Sequence, residues 1–257
     1  MSEIVELTNL TLFFLFLAGF GAGLIDSIAG GGGIITLPAL LWAGVPPHFA
    51  LATNKLQSSF GSFTATLNYT KRGLVEPKKL ILGILFTFIG ATLGSITVQF
   101  VPSGFLADFT IIMLTFLLFF TYFNKNFGLI EKNQRINPKL FYLIFGLLIG
   151  FYDGFFGPGT GSFWTIAIVF FLGLGLKSAT AQTKIFNFTS NIVSLSVFLF
   201  SGLVLFEIGI VMGIGQIAGA YLGSTFVAKK DTKYIRYIFL AVVLATIVKL
   251  AFERWLD

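Results

Sequence analysis

Four ionisable side chains stand where an apolar chain gives them no obvious reason to be: Asp26, Lys55, Asp153 and Lys184. Lys55 and Lys184 are the lysines set well inside apolar runs, apart from Lys249 near the end of the chain. A lysine in such a place costs roughly 2.5–3.5 kcal/mol on insertion scales, and intramembrane charges mark function more often than not. At helical spacing Lys55, Ser58, Ser59 and Ser62 share one face, and Lys184, Asn187, Asn191 and Ser194 share another. Each lysine thus heads a polar stripe able to hold negative charge by ammonium, hydroxyl and amide donors. The bland alternative is that each lysine snorkels to a nearby interface; the stripes have no such explanation.

Each aspartate precedes a glycine-rich break: "GLIDSIAGGGGIITLP" at 23–38 and "GFYDGFFGPGTGSFW" at 150–164. Glycines let a backbone unwind and approach a ligand without side-chain obstruction. Unwound backbone at membrane depth is tolerated where protein or a water-filled cavity surrounds it. A short helix restarting after each break would aim its free N–H groups at the gap, and helix N-termini bind anions. The candidate substrate-binding residues are therefore Gly30, Gly31, Gly32, Gly33, Asn54, Lys55 and Ser58 on one side. On the other they are Gly157, Gly159, Thr160, Gly161, Thr183, Lys184 and Asn187. Asp26 and Asp153 are candidates for carrying a coupling proton, for capping the backbone at the breaks, or for pairing with the lysines. The glycines could alternatively serve close helix packing alone.

These residues must be positioned by membrane helices. Of 257 residues 56% are hydrophobic and 11% charged, with 33 phenylalanines; a soluble domain carries roughly 25% charged residues. Apolar runs fall near 10–29, 34–44, 49–70, 80–100, 105–123, 139–156, 161–173, 178–201, 207–228 and 234–252. Eight are near the ~20 residues that cross a ~30 Å hydrocarbon core. The runs at 34–44 and 161–173, each following a break, are too short to cross unaided. No Lys or Arg precedes Lys55, so the first run is expected to be a retained helix rather than a cleaved signal.

The two halves match. Asp26 and Asp153 are 127 positions apart, whereas Lys55 and Lys184, "GLV" at 73 and 202, and "GATLGS" at 90 against "GAYLGS" at 219 are all 129 apart. This is an internal duplication. Basic clusters at Lys71, Arg72, Lys78 and Lys79, at Lys125, Lys132, Arg135 and Lys139, and at Lys229, Lys230, Lys233 and Arg236 are assigned to the cytoplasm by the positive-inside rule. Equivalent loops exchange this charge between the halves, which an inverted repeat requires. That holds only if the short runs count as crossings. The expected fold is thus an all-α polytopic membrane protein of two inverted-topology repeats of about five segments each, eight full-length helices plus two short discontinuous ones. Residues 1–123 form the first repeat, 124–139 a cytoplasmic linker and 140–257 the second repeat, with both ends outside.

Other chemistries lack their residues. There is no cysteine and a single histidine, His48 in a Pro-bounded turn, read as a surface or packing residue. "AGGGGII" lacks the ending of a phosphate-cradling loop, and no metal-binding or Ser/His/Asp grouping is present. The expectation is no enzyme, no metal, no cofactor and no nucleic-acid partner. Inverted repeats, broken helices and midplane polar groups together are the pattern of a secondary transporter. An anion channel, or a membrane component of a larger transport or enzyme complex, remains the alternative, and a homodimer is among the assemblies the sequence permits.

The stretch "GFGAGLIDSIAGGGGIITLPALLWAGVPPHFALATNKLQSSFGS" at 19–62 resembles the N-terminal signature of the TauE/SafE family of sulfite exporter-like anion permeases. "GFYDGFFGPGTGSFW" followed by "ATAQTKIFNFTSN" is similar to that family's second repeat. The resemblance implies transport of sulfite, sulfoacetate or other organosulfonates across a bacterial inner membrane; the lysine stripes and helix ends imply only an anion.

Overall fold

The computed structural model describes residues 8–100 and 131–255, with residue 129 between them. These residues form nine α-helices and no strand: α1 (Asn9–Ala29), α2 (Gly33–Trp42), α3 (Pro47–Lys71), α4 (Ile81–Thr97), α5 (Pro138–Phe155), α6 (Thr160–Ala167), α7 (Leu176–Phe200), α8 (Phe206–Lys229) and α9 (Thr232–Trp255). The expected segment at 105–123 lies outside the described residues. The chain is an all-α polytopic membrane protein. Among the described residues, four stretches are long and apolar enough to cross a membrane by length and composition: Asn9–Ala29, Pro77–Phe100, Pro138–Phe155 and Phe206–Lys229.

The short helices fall where the glycine breaks put them. α2 has 10 residues. α6 has 8 and runs on as a π-helical turn, Ile168–Leu172. α3 and α7, 25 residues each, carry most of the buried polar side chains. They are flanked by apolar helices: α3 packs against α8 and α7 against α4. Those outer helices and α1 turn Leu10, Phe13, Leu85, Phe88, Ile210 and Ile214 outward, an apolar exterior suited to lipid rather than water. Burying the polar stripes between such helices keeps their cost low.

Helix directions follow from which residues meet. A Cβ on Gly215, Gly219 or Gly223 would strike the backbone of Phe16, Phe20 or Leu24 respectively, so α1 and α8 run parallel at backbone contact. In the equivalent pair, Gly90 meets Leu147 and Gly94 meets Phe151, so α4 and α5 are likewise parallel. α3 also runs with α8: Leu56 lies against Gly209 and Phe60 against Gly213, while Asn68 donates to Ser224 Oγ at 2.7 Å. α7 runs with α4, since Phe186 covers Gly83 and Ser194 bonds Ser95 at 2.8 Å. Two successive long helices, α1 and α3, therefore point the same way. α2 must carry the chain back, and its Leu37 and Leu40 do reach the level of Leu15 near the start of α1 and Ala50 near the start of α3. α2 thus returns the chain to the end at which α1 began, the direction that the expected exchange of loop charge requires.

This arrangement collects basic residues at one end of the bundle. Arg72, at the end of α3, donates to Thr225 near the end of α8. Lys132 and Arg135 bond through their backbones to Gly173 and Phe171 just beyond α6. The opposite end, where Ser201 bonds Gln99 at 2.9 Å, joins α2 to α3 and α7 to α8 without a Lys or Arg between 42 and 47 or between 200 and 206.

Candidate functional site

The two glycine breaks meet in the middle of the bundle. A Cβ on Gly161 would lie 2.6 Å from the Cα of Gly30, and Ser162 Oγ donates to the carbonyl of Ala29 at 3.0 Å. Such an approach requires glycine on both segments. Gly30 and Gly31 have φ of +76° and +117°, and Gly157 and Gly159 have φ of +100° and +81°. L-residues with a side chain rarely adopt these values.

Beside this contact lies a cavity of about 30 Å³, where one water needs roughly 10–15 Å³ on the same measure. It has room for a few waters or one small polyatomic ion. From the first half it is walled by Asp26, Gly31, Gly32, Gly33, Asn54, Lys55 and Ser58. The second half contributes Asp153, Gly157, Thr160, Gly161 and Asn187, and also Asn191, which lies on the α7 stripe but was not among the candidate ligands.

Four expected ligands stand off the wall. Gly30 closes the break against Gly161, and Gly159 is the left-handed residue that starts α6. Thr183 is turned to Thr165 at 3.1 Å and to the carbonyl of Ala179. Lys184 is fully buried behind Asp26. His48 is exposed at the start of α3, away from the site.

The charges are paired across the halves. Lys55 Nζ donates to Asp153 Oδ1 at 2.7 Å and to that residue's carbonyl at 2.5 Å. Lys184 Nζ donates to Asp26 Oδ2 at 2.8 Å. Neither lysine snorkels: their side chains are 2% and 0% exposed. The four groups sum to zero charge when all are ionised, so neither lysine offers an uncompensated cation.

The surroundings of the two aspartates differ. Asp26 Oδ1 accepts the backbone N–H groups of Gly31 and Gly32 at 3.1 and 3.2 Å, which places a carboxylate at the N-terminus of α2. Asp153 Oδ2 instead accepts the hydroxyl of Ser190, and α6 begins with no side-chain cap.

Neutral donors complete the wall. Asn54 Oδ1 accepts from Thr36 Oγ1 at 2.5 Å and Gln57 Nε2 at 2.6 Å, and Gln57 Oε1 accepts from Gln216 Nε2 at 2.5 Å. That relay fixes the amide orientation and leaves Asn54 Nδ2 for the cavity. Asn187 is 5% exposed, its Oδ1 has no partner among the described residues, and its Nδ2 stands 3.1 Å from where a Gly161 Cβ would lie. The N–H groups of Gly33 and Gly161 likewise reach no acceptor among the described residues. Donors thus converge on a net-neutral cavity between two helix N-termini, an arrangement suited to an anion rather than a cation. The relay residues Thr36, Gln57 and Gln216, and Ser190 beside Asp153, had no motif to announce them. A lone Gln in the small-residue run "GIGQIAG" was the available signal.

The sequence profile of the family described as sulfite exporter TauE/SafE matches residues 15–250. The chain belongs to this family. It is 45% identical over 239 residues to the probable membrane transporter protein ORF9 of Sinorhizobium sp, covering 93% of this chain and 92% of that one. It is 41% identical over 252 residues to the probable membrane transporter protein YfcA of Escherichia coli strain K12, covering 98% and 94%. A probable membrane transporter protein of Haemophilus influenzae is 38% identical over 243 residues, 95% of each chain. No solved structure gives a significant match. The resemblance read from residues 19–62 and their counterpart is thereby confirmed, and the family is one of multi-pass membrane transporters, not a class of enzymes.

Proposed function

We propose that this protein is a secondary transporter, a permease or exporter, for small anions, bound in the cavity between its two halves. The observation that carries the reading is the convergence of two helix N-termini and two asparagine amides on one buried, net-neutral cavity. Sulfite, sulfoacetate or another small organosulfonate is the proposed substrate class, in keeping with the family's description as sulfite exporters. Each presents a compact oxyanion head to point-like donors. Gly31, Gly32, Gly33, Asn54, Lys55, Ser58, Gly157, Thr160, Gly161 and Asn187 face the ligand. Gly30, Gly159, Thr183 and Lys184 shape the wall from behind, and Asp26 and Asp153 are the candidates for proton coupling. The two repeats are inverted, with the basic end of the bundle facing the cytoplasm of a bacterial inner membrane. Access then alternates by rocking one half against the other about the fixed site.

The test is counterflow of radiolabelled sulfite in proteoliposomes. A carrier accelerates uptake of label when unlabelled sulfite is loaded inside; a channel does not. Asn187→Ala removes one hydrogen bond to a charged group, roughly 1.5–3 kcal/mol, and is expected to weaken half-saturation about tenfold or more. Counterflow with unchanged half-saturation in Asn187→Ala would place the site elsewhere. Flux without counterflow would make the protein a channel.

A further inference from the structure

We infer that Asp26, and not Asp153, carries the coupling proton, and that its protonation makes room for the substrate's negative charge; the inference rests on the cavity being the anion site. Asp26 is the internal anion of this site. One carboxylate oxygen occupies the two N–H groups at the start of α2, and the other neutralises Lys184. At Gly31 and Gly32 an entering anion meets donors that are already satisfied, and at Lys184 a cation that is already paired. A proton arriving on Asp26 from water in the cavity weakens both attachments in one event. It leaves the site one charge more positive, and a monovalent anion restores neutrality.

The structure distinguishes the two carboxylates. The Asp26 side chain is 20% exposed and Asp153 is 6% exposed. Both Asp153 oxygens are held by side chains, Lys55 and Ser190, neither of which belongs to a helix start. Protonating Asp153 strands Lys55, which is locked to the same residue's carbonyl, and frees no backbone donor. The end of α6 needs no release: the Gly161 N–H is already without an acceptor there among the described residues, and Asn187 Nδ2 stands 3.1 Å from where a Gly161 Cβ would lie. An anion seated first at α6 thus gains the N–H groups of Gly31 and Gly32 only when Asp26 gives them up.

Among the described residues, the groups that face Asp26 are few. They are Lys184 from α7, the buried phenol of Tyr69 from α3, which bonds the carbonyl of Ser27 at 2.6 Å, and the Lys55–Asp153 pair across the cavity. α2 and α6 contain no titratable side chain. Glu207, Tyr221 and Lys229 of α8 are exposed, as are Lys233, Tyr234 and Tyr237 of α9, and Arg236 lies with them at the basic end.

The experiment is calorimetric titration of the purified protein with methanesulfonate, whose own charge does not change between about pH 5 and about pH 8. It is run in buffers of different ionisation enthalpy so that protons taken up are counted. In the wild type, Asp26 binds a proton with the anion, so affinity falls as pH rises, by up to about tenfold per pH unit, with uptake approaching one proton. Asp26→Asn, a permanently neutral stand-in, is expected to bind with a pH-independent affinity near the wild-type acid value and to take up no proton. Asp153→Asn is expected to keep the pH slope. Anion binding by the wild type without proton uptake overturns the assignment even if no variant folds, and so does a pH slope that survives in Asp26→Asn. No methanesulfonate binding by the wild type at any pH overturns the anion-site reading itself.

Discussion

Removing the carboxylate of Asp153 is expected to cost stability before it costs transport. Sequence alone suggests that the buried lysines act on substrate and leave folding untouched. The ion pair adds a structural task to that role, because Lys55 is 2% exposed and its ammonium is bonded at 2.7 Å to Asp153. Breaking a buried pair by deleting one partner costs about 3–5 kcal/mol, since the other charge is left without compensation. In Asp153→Ala, Lys55 keeps the backbone carbonyl of residue 153 at 2.5 Å, and Ser190 can turn to the carbonyls of Phe186 and Asn187, each at 3.1 Å. The loss should fall at the low end, about 3 kcal/mol. Removing both charges in Lys55→Met with Asp153→Ala should recover most of it, because a buried pair replaced by apolar side chains is often neutral or better. A reversible denaturant titration in micelles can follow this by tryptophan fluorescence, with Trp164 stacked 4.4 Å from Phe186 as an internal reporter. If Asp153→Ala stays within about 1 kcal/mol of wild type, or the double variant is less stable than the single one, the pair is not buried as described.

Two further outcomes bear on the breaks and on the topology. Gly159→Ala must place a side chain at φ of +81°, at a cost of roughly 1–2 kcal/mol. Gly32→Ala would set a methyl group 3.0 Å from the Cβ of Asp26; both variants should fold yet lose most sulfite counterflow, and wild-type counterflow in either would detach the break from the site. Because the chain contains no cysteine, single cysteines at Ser201 and Lys230 can be labelled without background. Ser201→Cys should react with an impermeant maleimide from outside intact cells and Lys230→Cys only after permeabilisation; the reverse pattern would invert the proposed orientation.

Much of the architecture was legible because the quantities behind it are local. Hydropathy and length identify a crossing helix within some twenty residues, so α1, α4, α5 and α8 appear near their expected bounds. Glycine clusters dictate where a helix can break, and α2 and α6 begin within one residue of the expected starts. The constant spacing of 129 between equivalent residues already carried the two-fold relation. It reappears as matched parallel contacts, α1 on α8 and α4 on α5.

The partners of the charges were not legible. Lys55 and Asp153 are 98 positions apart, and Lys184 and Asp26 are 158 apart. The partner a buried ion takes depends on which helix faces are brought together, and no local pattern states that. The sequence could therefore leave three roles open for each aspartate, and packing alone showed that both pair with a lysine and that Asp26 also caps a break. It set the Asp26 carboxylate on the first N–H groups of α2 and enclosed Asp153 between Lys55 and Ser190. By itself the sequence determined a membrane protein with two related halves and two broken helices. Only the tertiary structure decided that each half neutralises the other's lysine, because a charge withdrawn from water must find its counterion wherever the fold has placed one.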